Sequence, residues 1–78
     1  MKEDLINLKN QAIARITDVT DLNELEQIRI DLFGRNGKFT LSSKEISKVP
    51  AEEKKQYGIT LNEVKNTLEE LIAQKKND

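Results

Sequence analysis

The stretch that decides the fold of this 78-residue chain is Leu32-Phe33-Gly34-Arg35-Asn36-Gly37-Lys38-Phe39-Thr40. Gly34 can adopt the left-handed conformation that ends many helices, and Asn36-Gly37 is a strong reverse-turn dipeptide in which both residues tolerate positive φ. The stretch therefore predicts a reversal between two helices. Arg35 and Lys38 would then lie on the outside of the turn.

After this turn the pattern predicts a long helix over residues 51–76. Pro50 suits the first position of a helix, and Glu52-Glu53 suits the positive end of the helix dipole. Gly58 costs about 1 kcal/mol relative to alanine inside a helix, so we expect another backbone to approach it closely, with Phe33 or Phe39 covering it. A heptad seam, with alternating steps of four and three residues, runs along the helix: Tyr57, Leu61, Val64, Leu68, Leu71 and Lys75.

Two shorter helices are predicted before the turn, at residues 2–17 and 21–33. The break between them falls on poor helix formers, and either Thr20 or Asp21 would be the N-cap of the second helix, with Asp21 and Glu24 at capping-box spacing. Apolar residues recur at helical spacing in both segments: Leu5, Leu8, Ala12 and Ile16 in the first, and Leu22, Leu25, Ile28 and Leu32 in the second.

Residues 34–49 are predicted to form a basic tip between the helices. Within it we expect Phe39 and Leu41 to fold back over the end of the structure, and Ser42 and Glu45 to cap a short turn. The predicted fold is one all-α domain over residues 1–78. It is either an antiparallel helical hairpin, a coiled-coil arm whose first limb is broken near residues 18–21, or a small three-helix bundle.

Composition argues against chemistry carried out by this chain alone. The sequence contains no cysteine and no histidine, so the usual thiolate and imidazole metal ligands, nucleophiles and general bases are missing. The carboxylates are spaced like helix surface, so we expect no catalytic residue and no metal site. Without a long apolar run we expect no membrane segment, and the composition suits the cytoplasm.

The positive charge is concentrated in the middle of the chain. Residues 29–55 hold seven Lys and Arg against four Asp and Glu, whereas residues 1–28 hold three against six. A local positive field is typical of a nucleic-acid-binding surface, although solvated helix surface is the plain alternative. The candidate nucleic-acid-binding residues are Arg29, Arg35, Asn36, Lys38, Lys44 and Lys48. We expect Phe33, Phe39 and Tyr57 to pack in the core rather than to stack on bases.

Several motifs together resemble a known family. They are the stretch from Leu32 to Thr40 preceded by Ile28-Arg29, then Val49-Pro50-Ala51-Glu52-Glu53-Lys54, and then Gly58 with Asn62 and Lys65. This combination resembles the N-terminal coiled-coil region of the alpha chain of bacterial phenylalanyl-tRNA synthetases. The sequence departs from that pattern at Asn36, Phe39 and Lys54, and the resemblance covers essentially the whole chain.

The resemblance implies a helical arm that binds the body of tRNA(Phe) and positions it by backbone contacts. It implies a parent (αβ)₂ enzyme with a beta chain and a second alpha chain, whose catalytic domain uses ATP and Mg and lies outside these residues. This fragment would then not aminoacylate by itself. The alternative function is a helical protein-protein interaction or dimerisation module, in which the heptad seam pairs with another chain.

Overall fold

The computed structural model describes residues 2–77, and it consists of helices joined by short turns. The helices are α1 (Lys2–Asp18), α2 (Leu22–Phe33), α3 (Lys38–Lys44) and α4 (Ala51–Asn77), with a 3-10 turn at Glu45–Lys48 between the last two. No strand occurs in this part of the chain. The all-α prediction is confirmed, and the bounds of the three longer helices lie within one residue of those predicted.

The helices pack as a small bundle 42 Å long, 19 Å wide and 16 Å deep. Leu5 in α1 packs with Tyr57 near the start of α4, and Lys75 near the end of α4 donates a hydrogen bond to the Thr17 carbonyl near the end of α1. These two helices are therefore parallel. The intervening α2 is antiparallel to both, because Leu25 lies beside Lys75 whereas Phe33 lies beside Leu61.

The predicted break near residues 18–21 therefore reverses the direction of the chain. α2 and α4 are the two limbs of a hairpin, and α1 folds back alongside them to complete the three-helix bundle that the sequence left open as the second arrangement. Asp21 is the N-cap of α2, as predicted, and its side chain accepts a hydrogen bond from the Glu24 amide at 2.8 Å. Val19 fills the break and is 5% exposed.

The core lies along the line where the three long helices meet. Leu5 and Leu68 are completely buried, and together with the other buried apolar side chains they remove from water the surface that drives folding. Leu22 is an exception to the predicted stripe, since it lies at the first turn of α2 and is 60% exposed. The main cluster contains Leu8, Ala12, Ile16, Val19, Leu25, Ile28, Leu32, Phe39, Val64, Leu68 and Ile72.

The glycines of the central turn serve a different purpose from the one predicted. Gly34 has φ −67° and Gly37 has φ −66°, and no residue in the described part of the chain has positive φ. Instead, a Cβ on Gly34 would lie 2.5 Å from the Ile30 carbonyl oxygen, and one on Gly37 would lie 2.4 Å from that of Leu32. Both positions therefore exclude a side chain because backbone passes too close.

The segment after the turn is more helical than predicted. Ser42 lies inside α3 and does not cap a turn with Glu45, because the helix already begins at Lys38 with Gly37 as its N-cap. Phe39 folds into the core as expected, but Leu41 is 48% exposed. Gly58 also differs from the prediction: within residues 2–77 a Cβ there would meet only Ile46 Cδ1, at 3.8 Å, so neither another backbone nor a phenylalanine ring from that range covers it.

Candidate nucleic-acid interface

Residues 34–48 cover one end of the bundle, and hydrogen bonds hold their backbone in a defined shape. The Gly34 amide donates to the Ile30 carbonyl at 2.8 Å. The Gly34 carbonyl then accepts twice, from the Gly37 amide at 2.9 Å and from Thr40 Oγ1 at 2.8 Å. Since one carbonyl gathers two donors, the turn and the start of α3 are fixed relative to each other.

Aromatic side chains attach this tip to the rest of the bundle. The rings of Phe33 and Phe39 are tilted by 58° with centroids 5.3 Å apart, a favourable arrangement for an aromatic pair. The buried Tyr57 of α4 donates its hydroxyl to the Ser42 carbonyl of α3 at 2.9 Å. These contacts hold the backbone of the tip against α2 and α4, so the side chains of the tip project from an ordered backbone.

The structure leaves the candidate residues on the surface. All six of them are exposed, and Arg35, Asn36, Lys38, Lys44 and Lys48 all lie in the segment that covers the end of the bundle. Within residues 3–77, none of these five side chains makes an ion pair or a side-chain hydrogen bond. The four positive groups and the neutral amide of Asn36 are therefore exposed to solvent.

Arg29 is different from the other candidates because a carboxylate on its own helix holds it. Its guanidinium donates to both oxygens of Glu26, one turn earlier on α2. The hydrogen bond to Glu26 raises the pKa of Arg29, and the same contact lowers the pKa of the Glu26 carboxyl. A phosphate would have to compete with Glu26 for Arg29.

Asp31 of α2 is an acidic side chain that interacts with Lys38 of the tip. Its pKa is lowered first by the hydrogen bond from Gln27, then by one from Arg15, and also by the positive charge of Lys38. Arg15 Nη2 lies 3.3 Å from Asp31 Oδ2. Gln27 and Arg15 are the side chains that hydrogen-bond to this carboxylate, whereas Lys38 acts on it through its charge alone.

An open groove of about 450 Å³ lies beside the tip, between α3 and α4. It contains polar and cationic residues that were not among the candidates, in particular Asn62 and Lys65 of α4. The signal for them was in the sequence, since both follow Gly58 on the face of α4 that carries it, but charge clustering drew attention only to residues 29–48. The walls also include Phe33, Thr40, Ser43 and Glu69.

Neither a metal cluster nor a membrane span occurs in the described residues. Residues 2–77 bring together no group of three or more side chains of the types that hold a metal ion. None of the helices in that range combines the length and the apolar character required to cross a lipid bilayer. The features of this part of the chain that point to a ligand are the basic tip and the groove beside it.

Comparison with known proteins gives a consistent result. Residues 20–78 match the family described as the aminoacyl tRNA synthetase class II N-terminal domain. The chain is 37% identical over 76 residues to the phenylalanine–tRNA ligase alpha subunit of Listeria monocytogenes, 35% over 77 residues to that of Desulfotalea psychrophila and 34% over 73 residues to that of Thermotoga neapolitana.

These alignments cover nearly all of this chain and a small part of each relative. They span 97%, 99% and 94% of the chain, but only 22%, 23% and 22% of the three relatives in the same order. No solved structure matches the chain significantly. The similarity is therefore to one region of a much longer subunit.

Proposed function

Because this chain belongs to the family of class II aminoacyl-tRNA synthetase N-terminal domains, as found in phenylalanine–tRNA ligase alpha subunits, we propose that it binds tRNA(Phe). In this role it positions the tRNA, through contacts to the phosphate backbone, for aminoacylation by the remainder of the enzyme. The observation that carries the proposal is the set of exposed positive charges on the tip, which make no ion pair within residues 3–77.

The tip has the chemistry that phosphate binding requires. Exposed Lys and Arg side chains neutralise phosphates and displace the counterions condensed on the nucleic acid, which supplies affinity with little discrimination of sequence. The four cations Arg35, Lys38, Lys44 and Lys48 are carried by one short segment whose backbone is already fixed. Binding therefore orders side chains but not backbone, which reduces the loss of conformational entropy.

The shape of the bundle supports the same role. The tip lies at one end of a body 42 Å long, whereas Lys75 to Asn77 of α4 lie at the other end beside Thr20 to Leu22. A bundle of this shape would hold a tRNA bound at the tip away from the end where α4 finishes. The proposal places catalysis, with its ATP and Mg, and the contacts with a beta chain and a second alpha chain in other parts of the enzyme.

The direct test is charge reversal at the tip. We expect the double variant Arg35→Glu with Lys38→Glu to bind tRNA(Phe) more weakly than the unchanged chain in a titration at low salt. The slope of log K against log salt should become less steep by about two, one unit for each cation that no longer meets a phosphate. The control is Lys76→Glu, which changes an exposed lysine at the opposite end and should leave binding unchanged.

A result in which the double variant and the unchanged chain bind equally well would overturn the proposal. The interaction-module alternative would be favoured if sedimentation showed a tight dimer whose mass did not respond to tRNA. The structure weakens the reason for that alternative, because Tyr57, Val64 and Leu68 of the heptad seam are buried within the chain itself.

A further inference from the structure

Gly58 is a glycine that the packing of the bundle does not explain. It lies well inside α4, where glycine disfavours the helix relative to alanine. Among the residues that the structure describes, a Cβ at this position would make one ordinary van der Waals contact, with Ile46 Cδ1 at 3.8 Å, so none of them excludes a side chain. The glycine leaves bare helix backbone in the lining of the groove between α3 and α4.

The residues around this bare backbone are those that a nucleotide requires. Phe33 is half-buried in the groove wall and presents part of its ring, and the exposed Asn62 amide offers both a donor and an acceptor one turn beyond Gly58. Lys65 lies in the groove one further turn along α4. Aromatic faces, an amide and a cation are the groups with which proteins hold an unstacked base and its phosphate.

The helix geometry extends this arrangement into a stripe. Residues 54, 58, 62 and 65 are separated by four, four and three positions, so they share one face of α4. Lys54 and Lys65 therefore lie on either side of Gly58 and Asn62, and both lysines are exposed. Glu69 at the end of the groove beyond Lys65 would repel phosphate, which directs the strand toward Lys54 and the tip.

We propose that this groove, with Gly58 in its lining, binds one unstacked nucleotide of the RNA whose backbone the tip holds. The inference rests on the proposed function and names a contact within it. The groove adjoins the tip through α3, which carries Lys38 and Lys44 and also places Thr40 and Ser43 in the groove wall. A side chain at position 58 would occupy the space of the base.

The experiment compares two RNAs of equal length, a hairpin with an unpaired loop and a blunt duplex without unpaired bases. Gly58→Met fills the groove with a residue that favours helix, and we expect it to weaken hairpin binding about tenfold, the loss typical of one stacked base. It should leave binding of the duplex unchanged. Asn62→Leu, a substitution at an exposed position, should also weaken hairpin binding and leave duplex binding unchanged. It does so without altering Gly58.

The control is Gln56→Met, an exposed position two residues before Gly58 and about 200° around the helix. It should bind both RNAs like the unchanged chain, and circular dichroism should show that all variants retain their helices. If Gly58→Met and Asn62→Leu bind the hairpin normally while the charge reversal at Arg35 and Lys38 still weakens binding, the groove is not a nucleotide site and the tip proposal survives. If none of these variants changes binding, both proposals fail.

Discussion

Gly58 and Gly37 should respond in opposite ways to the addition of one methyl group. At Gly58 the new Cβ has room, so Gly58→Ala should raise the free energy of unfolding by about 1 kcal/mol and the melting temperature by roughly 5 °C. At Gly37 the Cβ would lie 2.4 Å from the Leu32 carbonyl oxygen and 2.9 Å from the Gly34 amide nitrogen. Gly37→Ala should therefore destabilise the fold by about 2 kcal/mol.

Thermal and urea unfolding of the two variants measure this difference directly. Equal melting temperatures for Gly58→Ala and Gly37→Ala would show that the backbone approach at Gly37 is relieved without cost. Combined with the RNA titration, Gly58→Ala also separates stability from binding. A variant that melts later but binds loop RNA less well identifies a residue kept for its ligand.

Tyr57 should make the stability of the bundle depend on alkaline pH. Burial raises the pKa of its hydroxyl above the ordinary value of 10.0, and the negative charges of Glu45 and Asp4 raise it further. Because the pKa is higher in the folded state, stability is complete below about pH 10 and is lost as the pH rises through the folded pKa. Tyr57→Phe should remove this loss. Because it also removes the hydrogen bond to Ser42, it should lower the free energy of unfolding by about 1 kcal/mol near neutral pH.

The measurement is urea unfolding of both proteins from about pH 8 to about pH 11, a range that brackets the ordinary tyrosine pKa. The difference between them is the relevant quantity, since every other ionisable group is the same in both proteins. A difference that stayed constant with pH would mean that the Tyr57 hydroxyl is free to ionise in the folded state.

The roles of the glycines and of the charged residues were the easiest to predict from the sequence, although the reason predicted for the glycines was not the one found. Gly34 and Gly37 marked the turn correctly, yet positive φ was the wrong explanation. The carbonyl oxygens approach Gly34 and Gly37 closely because of the way α2 ends and α3 begins. That geometry cannot be predicted from any single residue. The exposure of Arg35 and Lys38 was predictable because charged side chains are costly to bury.

The helices depend on their caps, and Asp21 provides the clearest test. Its carboxylate accepts from the Glu24 amide at 2.8 Å at the start of α2. Asp21→Ala should therefore lower the free energy of unfolding by about 1 kcal/mol, whereas Asp21→Asn, which retains an acceptor, should cost much less. Thr20→Ala is the matched control, because Thr20 was the other candidate cap and lies one residue before the cap position.

Urea unfolding followed by circular dichroism distinguishes these variants. A loss in Thr20→Ala as large as that in Asp21→Ala would move the start of α2 by one residue. Equal stability of the alanine and asparagine variants at position 21 would show that the hydrogen bond to Glu24 contributes nothing.

The long helices were predictable, whereas α3 was not. Apolar periodicity, the Asp21 cap and Pro50 mark α1, α2 and α4, because these are local signals. The seven residues of α3 include one threonine and two serines, which have lower helix propensity than alanine or leucine. Contacts from elsewhere in the chain hold this segment as a helix, namely the burial of Phe39 and the hydrogen bond from Tyr57.

The direction of α1 relative to α4 is a property of the assembled bundle. Sequence periodicity shows that both helices have an apolar face, but it carries no information on whether the break at residues 19–21 bends the chain or reverses it. Two contacts stabilise the reversal. Val19 packs into the core at the turn, and Lys75 donates a hydrogen bond to the Thr17 carbonyl at 2.9 Å. The result is that the seam of α4 finds its partners within the same chain.

Internal burial of that seam leads to a prediction for the stability of the entire bundle. Leu68 is completely buried, and Leu→Ala at such a site costs about 2–5 kcal/mol. A core of this size provides only about 3–5 kcal/mol in total. Leu68→Ala should therefore be largely unfolded at 25 °C, whereas Leu22→Ala, the same substitution at a side chain that is 60% exposed, should fold normally.

Circular dichroism at several protein concentrations tests both variants, and the unchanged chain should sediment as a monomer of 8.9 kDa. Equal helicity of the two variants would show that the bundle tolerates the cavity at Leu68. A melting temperature of the unchanged chain that rises with concentration would show that α4 is stabilised by a second chain.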